Sequence, residues 1–584
     1  MLGQMGSANA AIGAHVPSDR AERVFVTAVW VLASVAAFAY TAWFGRNVPY
    51  MDDWVLVPTL SGAQPFGLPW LFEQTLEHRY VMGKALIYAI WQVSGGDFRA
   101  TLWATDALLV AISYAFLRAA RAVRGHSEWS DAFFPLVVLN WGNYESLLLF
   151  VQLWFVLPVA LFVATMLIMV SGAWKKRSGA LALCACIALL PLNGAIGVLY
   201  APPLVLLLVW MAWNQRAQHA VAGPFAFAAV AAMVLSALYF VGYHTPAATQ
   251  RVSRTPLGVI DSVFEVLSVA FGPGGASLWP YSGIAVALLG VAGATLCMRA
   301  LREGGERPRA AALLACIAAT GLIALGVGYG RSGLGPGAGF PGRYALLVAP
   351  GLGACALAAS LYAGRIVGRL VPMVLFLCAC SMIALDGRAG VVYGQGRAVL
   401  ADAFLGDLAA DATTRSLALR YAPRIYPHRD QLQQYLDMLR VARVGPYSGA
   451  PAQALAAPPP CHAVSVPLRV AEVHETDFDG EAGRSFGDDP FVAFALPGPM
   501  RVCGVEVRYA VDNGADKAAT QAFWKLAAAG QNFDPLRRNI TLTQATGPQT
   551  ATFWIDQAID HFRFDPDTRP GTFRISGITF FVPD

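Results

Sequence analysis

From Val24 to Leu385 the sequence is a succession of apolar runs of about 15 to 24 residues, joined by short segments that hold most of the arginines and lysines. A helix needs about 20 apolar residues to cross the hydrocarbon layer of a bilayer. Lipid leaves no water to satisfy backbone N–H and C=O groups, so runs of this kind in series fold as helices. Composition agrees, since 14% of residues are charged where a soluble domain carries about 25%. The chain reads as a polytopic α-helical membrane bundle, and beyond Leu385 it becomes ordinarily polar to Asp584.

The net charge of +5 sits largely in the turns between apolar runs. There it carries orientation rather than a nucleic-acid footprint, and no nucleic-acid partner is expected. Arg20 and Arg23 place the N-terminus in the cytoplasm, with residues 1–23 disordered up to a first span near 24–44 that acts as a signal anchor. Residues 81–94 contain Lys84 and are too short to span, so they read as an interfacial helix. Further spans follow near 101–118, 131–143, 148–170, 179–192, 196–213, 222–242, 283–298, 311–329, 345–363 and 370–385, with a long outer loop from Tyr243 to Tyr281. These eleven spans put Lys175-Lys176-Arg177, Arg216, Arg299 to Arg309 and Arg365-Arg369 inside and the C-terminus outside.

Residues 386–460 read as a helical connector ending in a Pro/Ala linker, Ala450 to Pro460. From Cys461 to Asp584 short alternating runs such as Val502 to Tyr509 and Thr550 to Trp554 predict strands, most simply an extracytoplasmic β-sandwich. Seven cysteines lie in apolar runs, where a thiol packs as a small hydrophobe. Cys461 and Cys503 stand apart in the polar region, as a disulfide or as two free thiols in separate strands.

The residues that carry chemistry lie just after the first span, in Tyr50-Met51-Asp52-Asp53-Trp54. Adjacent carboxylates beside lipid are costly unless used. One can act as general base and the other, Asp53 for example, can hold a divalent cation (Mg or Mn) or a substrate hydroxyl. The alternative is a solvated helix start with Trp54 in the aromatic belt. Asn143, Tyr144, Glu145 and Gln152, and Asn193-Gly194, read chiefly as caps and turns, with Glu145 able to hold a metal or an acceptor hydroxyl. No Walker, dinucleotide-binding or nucleophile-elbow motif occurs, and the Gly-rich loop 333–342 reads as flexible, a possible lid.

The acidic pair, then Glu77-His78-Arg79, an amphipathic stretch to Trp91, and Phe98-Arg99 leading into a span that ends in Arg118 and Arg121 resemble the GT-C superfamily of integral membrane glycosyltransferases. Protein O-mannosyltransferases and lipid A aminoarabinose transferases belong to it. Glu-His-Arg replaces the His-Pro-Pro form of the second motif, which leaves the donor open. The stretch Phe562 to Gly571 resembles β-sandwich modules of bacterial polysaccharide-assembly proteins.

The resemblance implies a sugar donor carried on polyprenyl phosphate, a glycan, lipid or protein acceptor, and transfer with inversion at the outer face of a bacterial inner membrane. A leaving lipid phosphate needs cations there. The expected contacts are His78, Arg79, Lys84, Arg251, Arg254, Arg331 and Arg343 with Tyr344, with Asp52 or Asp53 as base. Two rivals from other classes are a flippase for a lipid-linked glycan and a non-catalytic scaffold of an envelope polysaccharide system.

Overall fold

The computed structural model describes residues 16–584 except 218, 245–253, 304–305, 411, 423, 448–460, 488, 516, 527–532, 534–537 and 545–546. The chain divides into two compact units. One comprises residues 1–45 and 66–397, and the other 46–65 and 398–584. The boundary expected after Leu385 thus falls between Arg397 and Ala398, inside a single helix, Arg365–Ala409. The segment after the first helix is divided as well, because its acidic stretch joins the C-terminal unit. The expected Pro/Ala linker lies outside the described residues, and the first helix begins at Val16 rather than near Val24.

Among the described residues ten helices are long and apolar enough to cross a membrane, against the eleven spans expected. Three segments account for the difference. Residues 131–143 are not one helix but a chain of short ones, Phe133–Val138 and Trp141–Asn143 followed by Tyr144–Leu148, broken at Leu139 and the Asn140 turn. Phe133, Phe134, Val137 and Val138 are all buried, so this irregular backbone is shielded by protein, the condition under which it is tolerated at membrane depth. The stretch Arg177–Asn214 is one continuous apolar element by length, yet it bends at Leu190–Asn193 and Gly194 (φ +75°). Trp174 and Asn214 consequently border the same cavity. Finally, the long loop expected from Tyr243 to Tyr281 contains an apolar helix, Pro256–Ser268, packed against the helices Arg307–Arg331 and Tyr281–Glu303: Gly258 lies near Ser332 and Ser268 near Gly283.

Contacts between helix termini define two ends of this unit. At one, Arg121 pairs with Asp19 (4.0 Å), Arg124 with Asp131 and Ser360, and Arg309 Nε donates to the Val170 carbonyl (2.7 Å). The Lys/Arg-rich turns around 175–177, 299–309 and 365–369 adjoin these residues in the chain. At the other end meet the segments 73–79, 238–244, 254–265, 329–344 and Glu145. Helices approach closely where one side is glycine. A Cβ on Gly353 would lie 2.4 Å from the Phe116 ring, and one on Gly326 2.4 Å from Leu199, the small-residue packing that lipid-embedded helices rely on.

The second unit holds, among the described residues, an antiparallel sheet of nine strands: β1 (Cys461–Val464), β2 (Arg469–His474), β3 (Thr476–Phe478), β4 (Ala482–Ser485), β5 (Phe491–Asp512), β6 (Lys517–Leu526), β7 (Arg538–Gln544), β8 (Pro548–Asp565) and β9 (Gly571–Pro583). Breaks in register between Ala495 and Met500 and between Val502 and Gly504 let β5 bend. Its first part pairs with β2 and its last part with β9, and both parts pair with β8. Val492, Phe494, Val505, Trp524, Phe553, Phe562 and Phe580 share one core. Cys461 and Cys503 are joined by a disulfide.

The connector helices are fastened to this sheet by a fully buried ion pair, Arg420 to Asp407 (2.6 Å). Asp407 also accepts from Tyr421 Oη and Gln557 Nε2, and Arg420 donates to the Ile555 carbonyl. These bonds offset much of the cost of burying the pair, although the buried Arg420 Nε has no hydrogen-bond partner among the described residues.

Candidate functional site

At the second end of the membrane unit, the turn Thr75–His78 closes through reciprocal backbone hydrogen bonds (2.7 and 3.1 Å) and presents Glu77, His78 and Arg79. His78 Nδ1 lies 3.2 Å from Tyr239 Oη. Burial and the neighbouring Arg331 guanidinium push its imidazole down from the usual 6.5 to about 4, so it is neutral at physiological pH. Arg79 Nη1 donates to the carbonyls of Leu238 (3.3 Å) and Tyr239 (3.0 Å), the last residues of the His219–Tyr239 helix. A cation at the carbonyl end of a helix is favoured by orphan acceptors and by the helix dipole. Arg254 does the same for the Arg307–Arg331 helix, donating to the Tyr329 carbonyl (3.1 Å) and lying 4.9 Å from that ring.

Lys84 departs furthest from expectation. It is fully buried, and its Nζ donates to the carbonyls of Trp70 (2.8 Å) and Glu73 (2.9 Å) beneath the Trp70 ring. Burial pushes its ammonium down from 10.5 to about 8. It ties the Leu68–Phe72 turn in place and presents no donor to a ligand outside. Arg251 lies outside the described residues.

Among the described residues, Arg331 and Arg343 are the expected contacts left to consider at the rim. Arg331 ends one apolar helix and Arg343 precedes the next, and both guanidiniums pack on the ring of Tyr344, at 6.0 and 5.2 Å from its centre. Each is about a quarter exposed and has a carboxylate partner: Glu77 for Arg331 (3.6 Å) and Glu145 for Arg343 (3.2 Å). Glu145 also accepts the Arg343 backbone N–H (3.0 Å), which sets the start of the Ala345–Tyr362 helix. Two carboxylates thus neutralise the pair. A guanidinium offers five N–H donors in a planar fork, more than one carboxylate consumes. The pair can take a phosphate edge while keeping its carboxylates. The Tyr344 hydroxyl beneath them is buried and has no hydrogen-bond partner among the described residues.

Three buried carboxylates nearby carry no assigned role from sequence. Glu265 accepts the backbone N–H groups of Gly337 (2.8 Å) and Gly339 (2.9 Å), one on each oxygen. The Gly-rich loop expected to be flexible is thus pinned. Asp386 accepts the Gly274 N–H (2.8 Å) in a pocket where a Cβ on Gly142, Gly272 or Gly274 would approach its carboxylate to 2.9, 2.7 or 3.3 Å. Asp106, fully buried on the Arg99–Arg124 helix, lies against Thr41. The signal for all three was a carboxylate inside or at the edge of an apolar stretch. Asn143 and Asn193 donate to nearby carbonyls, as caps and turns do.

The acidic stretch belongs to the C-terminal unit and is held by it. The Met51 N–H donates to the Ile425 carbonyl (2.7 Å), and Met51 takes a left-handed φ of +49°. Trp54 is fully buried between Phe404 and Tyr435. Asp53 is also fully buried, and its Oδ2 accepts the Tyr50 N–H (3.0 Å), which caps the 3-10 turn Met51–Leu56. Asp52 is exposed beside it. No three metal-ligating side chains gather among the described residues.

The chain matches no protein-family model and no curated protein.

Proposed function

We propose that this chain is a GT-C-like glycosyltransferase of a bacterial inner membrane, with eleven crossings, a cytoplasmic N-terminus and a sandwich-type C-terminal domain outside. It moves a sugar from a polyprenyl-phosphate carrier to a glycan, lipid or protein acceptor. The observation that carries this reading is the convergence of Arg331 and Arg343 on one tyrosine ring, at the end of the bundle away from the lysine- and arginine-rich turns. Those turns mark the cytoplasmic side by the positive-inside rule, and the arginine pair on the far side, even beside its two carboxylates, suits a phosphate edge. A lipid-borne phosphate is the anion found at that depth.

Asp52, exposed where Asp53 is buried, is the base. Its carboxylate takes the acceptor hydroxyl proton as that oxygen bonds to the anomeric carbon from the face opposite the phosphate. The anomeric C–O bond then breaks, and polyprenyl phosphate leaves with that bond's electron pair. The configuration inverts. Asp53 shapes the turn that presents Asp52.

The test is purified protein in lipid nanodiscs with radiolabelled polyprenyl-phosphate mannose, glucose or arabinose. Transfer should fall by a factor of about 10² to 10⁴ in Asp52→Asn, with donor binding kept. Arg343→Ala should lose donor binding, and both variants should keep the parental melting temperature. Donor moved between leaflets without cleavage would favour a flippase. No binding of any donor, or full transfer by Asp52→Asn, defeats the proposal.

A further inference from the structure

The C-terminal sheet carries a face that none of the chemistry above uses. β3, β4, β9 and the end of β5 lie side by side, and their register sets Asp477, Arg484, Thr572 and Asp512 in one row across four strands. At the usual strand spacing that row is about 14 Å long, the length of a short oligosaccharide. The next row on the same face is Ala482, Arg574 and Ala510. Its two alanines leave a groove of about 850 Å³ between the charged side chains. Phe486 follows β4 in the alternation of Arg484, with buried Ser485 between them, and its side chain is 62% exposed at the margin.

The chemistry of this face selects its occupant. An exposed phenyl ring offers an apolar surface to the C–H face of a sugar ring. Carboxylates accept from neighbouring hydroxyls, and the arginine and threonine donate to ring and hydroxyl oxygens. The rim holds three carboxylates, Asp477, Asp479 and Asp512, against two guanidiniums, Arg484 and Arg574, and Arg574 is already paired with Glu481 (3.3 Å). A polyanionic glycan would meet net repulsion. We propose that this face binds a neutral oligosaccharide. Binding is measured without any donor, so it stands or falls separately from the transfer reading.

The experiment is isothermal titration of the full-length protein in lipid nanodiscs with maltohexaose, cellohexaose and α-1,6-mannohexaose, with a hyaluronan hexasaccharide and hexalysine as charged comparators. At least one neutral hexaose should bind saturably. Phe486→Ala, and the double variant Asp477→Asn with Asp512→Asn, should each weaken it about tenfold. These side chains are exposed, so the melting temperature should not move. The proposal is overturned if no neutral hexaose binds, if both variants bind as tightly as the parent, or if either charged comparator binds more tightly.

Discussion

Glu265 offers the sharpest quantitative test of how the rim is built. Its two oxygens each take one backbone N–H of the Gly-rich loop, from Gly337 and Gly339. A hydrogen bond to a charged group contributes roughly 1.5–3 kcal/mol net. Glu265→Gln keeps the shape but turns one acceptor into an N–H₂ group facing an N–H, so it should cost about 2 kcal/mol of loop closure. At about 1.4 kcal/mol per tenfold, that is a roughly 30-fold rise in the open population. Glu265→Ala removes both bonds and should give about 4 kcal/mol, or roughly 10³-fold. Hydrogen–deuterium exchange of the protein in nanodiscs, read by mass spectrometry on peptides covering 333–342, measures the change directly. Unchanged exchange in that peptide would refute the reasoning. So would an equal rise across the Pro256–Ser268 helix, since the carboxylate would then be supporting the helix and not the loop.

Two further outcomes follow from the same kind of accounting. His78 titrates near 4 in the fold and near 6.5 when unfolded, so between those values the unfolded chain holds the proton that the native state refuses. Stability should be full above pH 6.5 and fall by up to about 3 kcal/mol as the pH drops to 4. His78→Gln should flatten that part of the melting-temperature profile, and an unaltered profile counts against a neutral, enclosed imidazole. The Cys461–Cys503 bond closes a loop of 42 residues, for which chain entropy predicts about 4 kcal/mol. Cys461→Ser should therefore lower the unfolding temperature of the C-terminal unit while the membrane unit's transition stays in place, followed by calorimetry.

Much of the architecture was legible because hydropathy belongs to each residue singly and adds along the chain. Runs such as 311–329 and 345–363 announce themselves wherever they pack. The segments that escaped were those whose character depends on neighbours. The broken helix through Phe133–Val138 is covered by protein on every side where its residues are buried, and the apolar helix Pro256–Ser268 packs against the helices Tyr281–Glu303 and Arg307–Arg331. The candidate site divided along the same line. That Asp52, Arg331 and Arg343 lie beside span ends was readable from order alone. That Asp53 is a buried cap, that Lys84 serves two carbonyls, and that Arg79 and Arg254 close helix ends was not.

By itself the amino-acid order determined a membrane bundle followed by a strand-rich polar domain, the places where charge gathers at helix ends, and the two cysteines available for a bond. Only the tertiary structure decided which charges remain at the rim and which are consumed as struts, because that depends on partners distant in the chain. Arg343 meets Glu145 across 198 positions, and Asp386 meets Gly274 across 112. Spacing along a sequence records neither distance nor burial, and these two quantities set whether a charged side chain faces a ligand or closes a backbone.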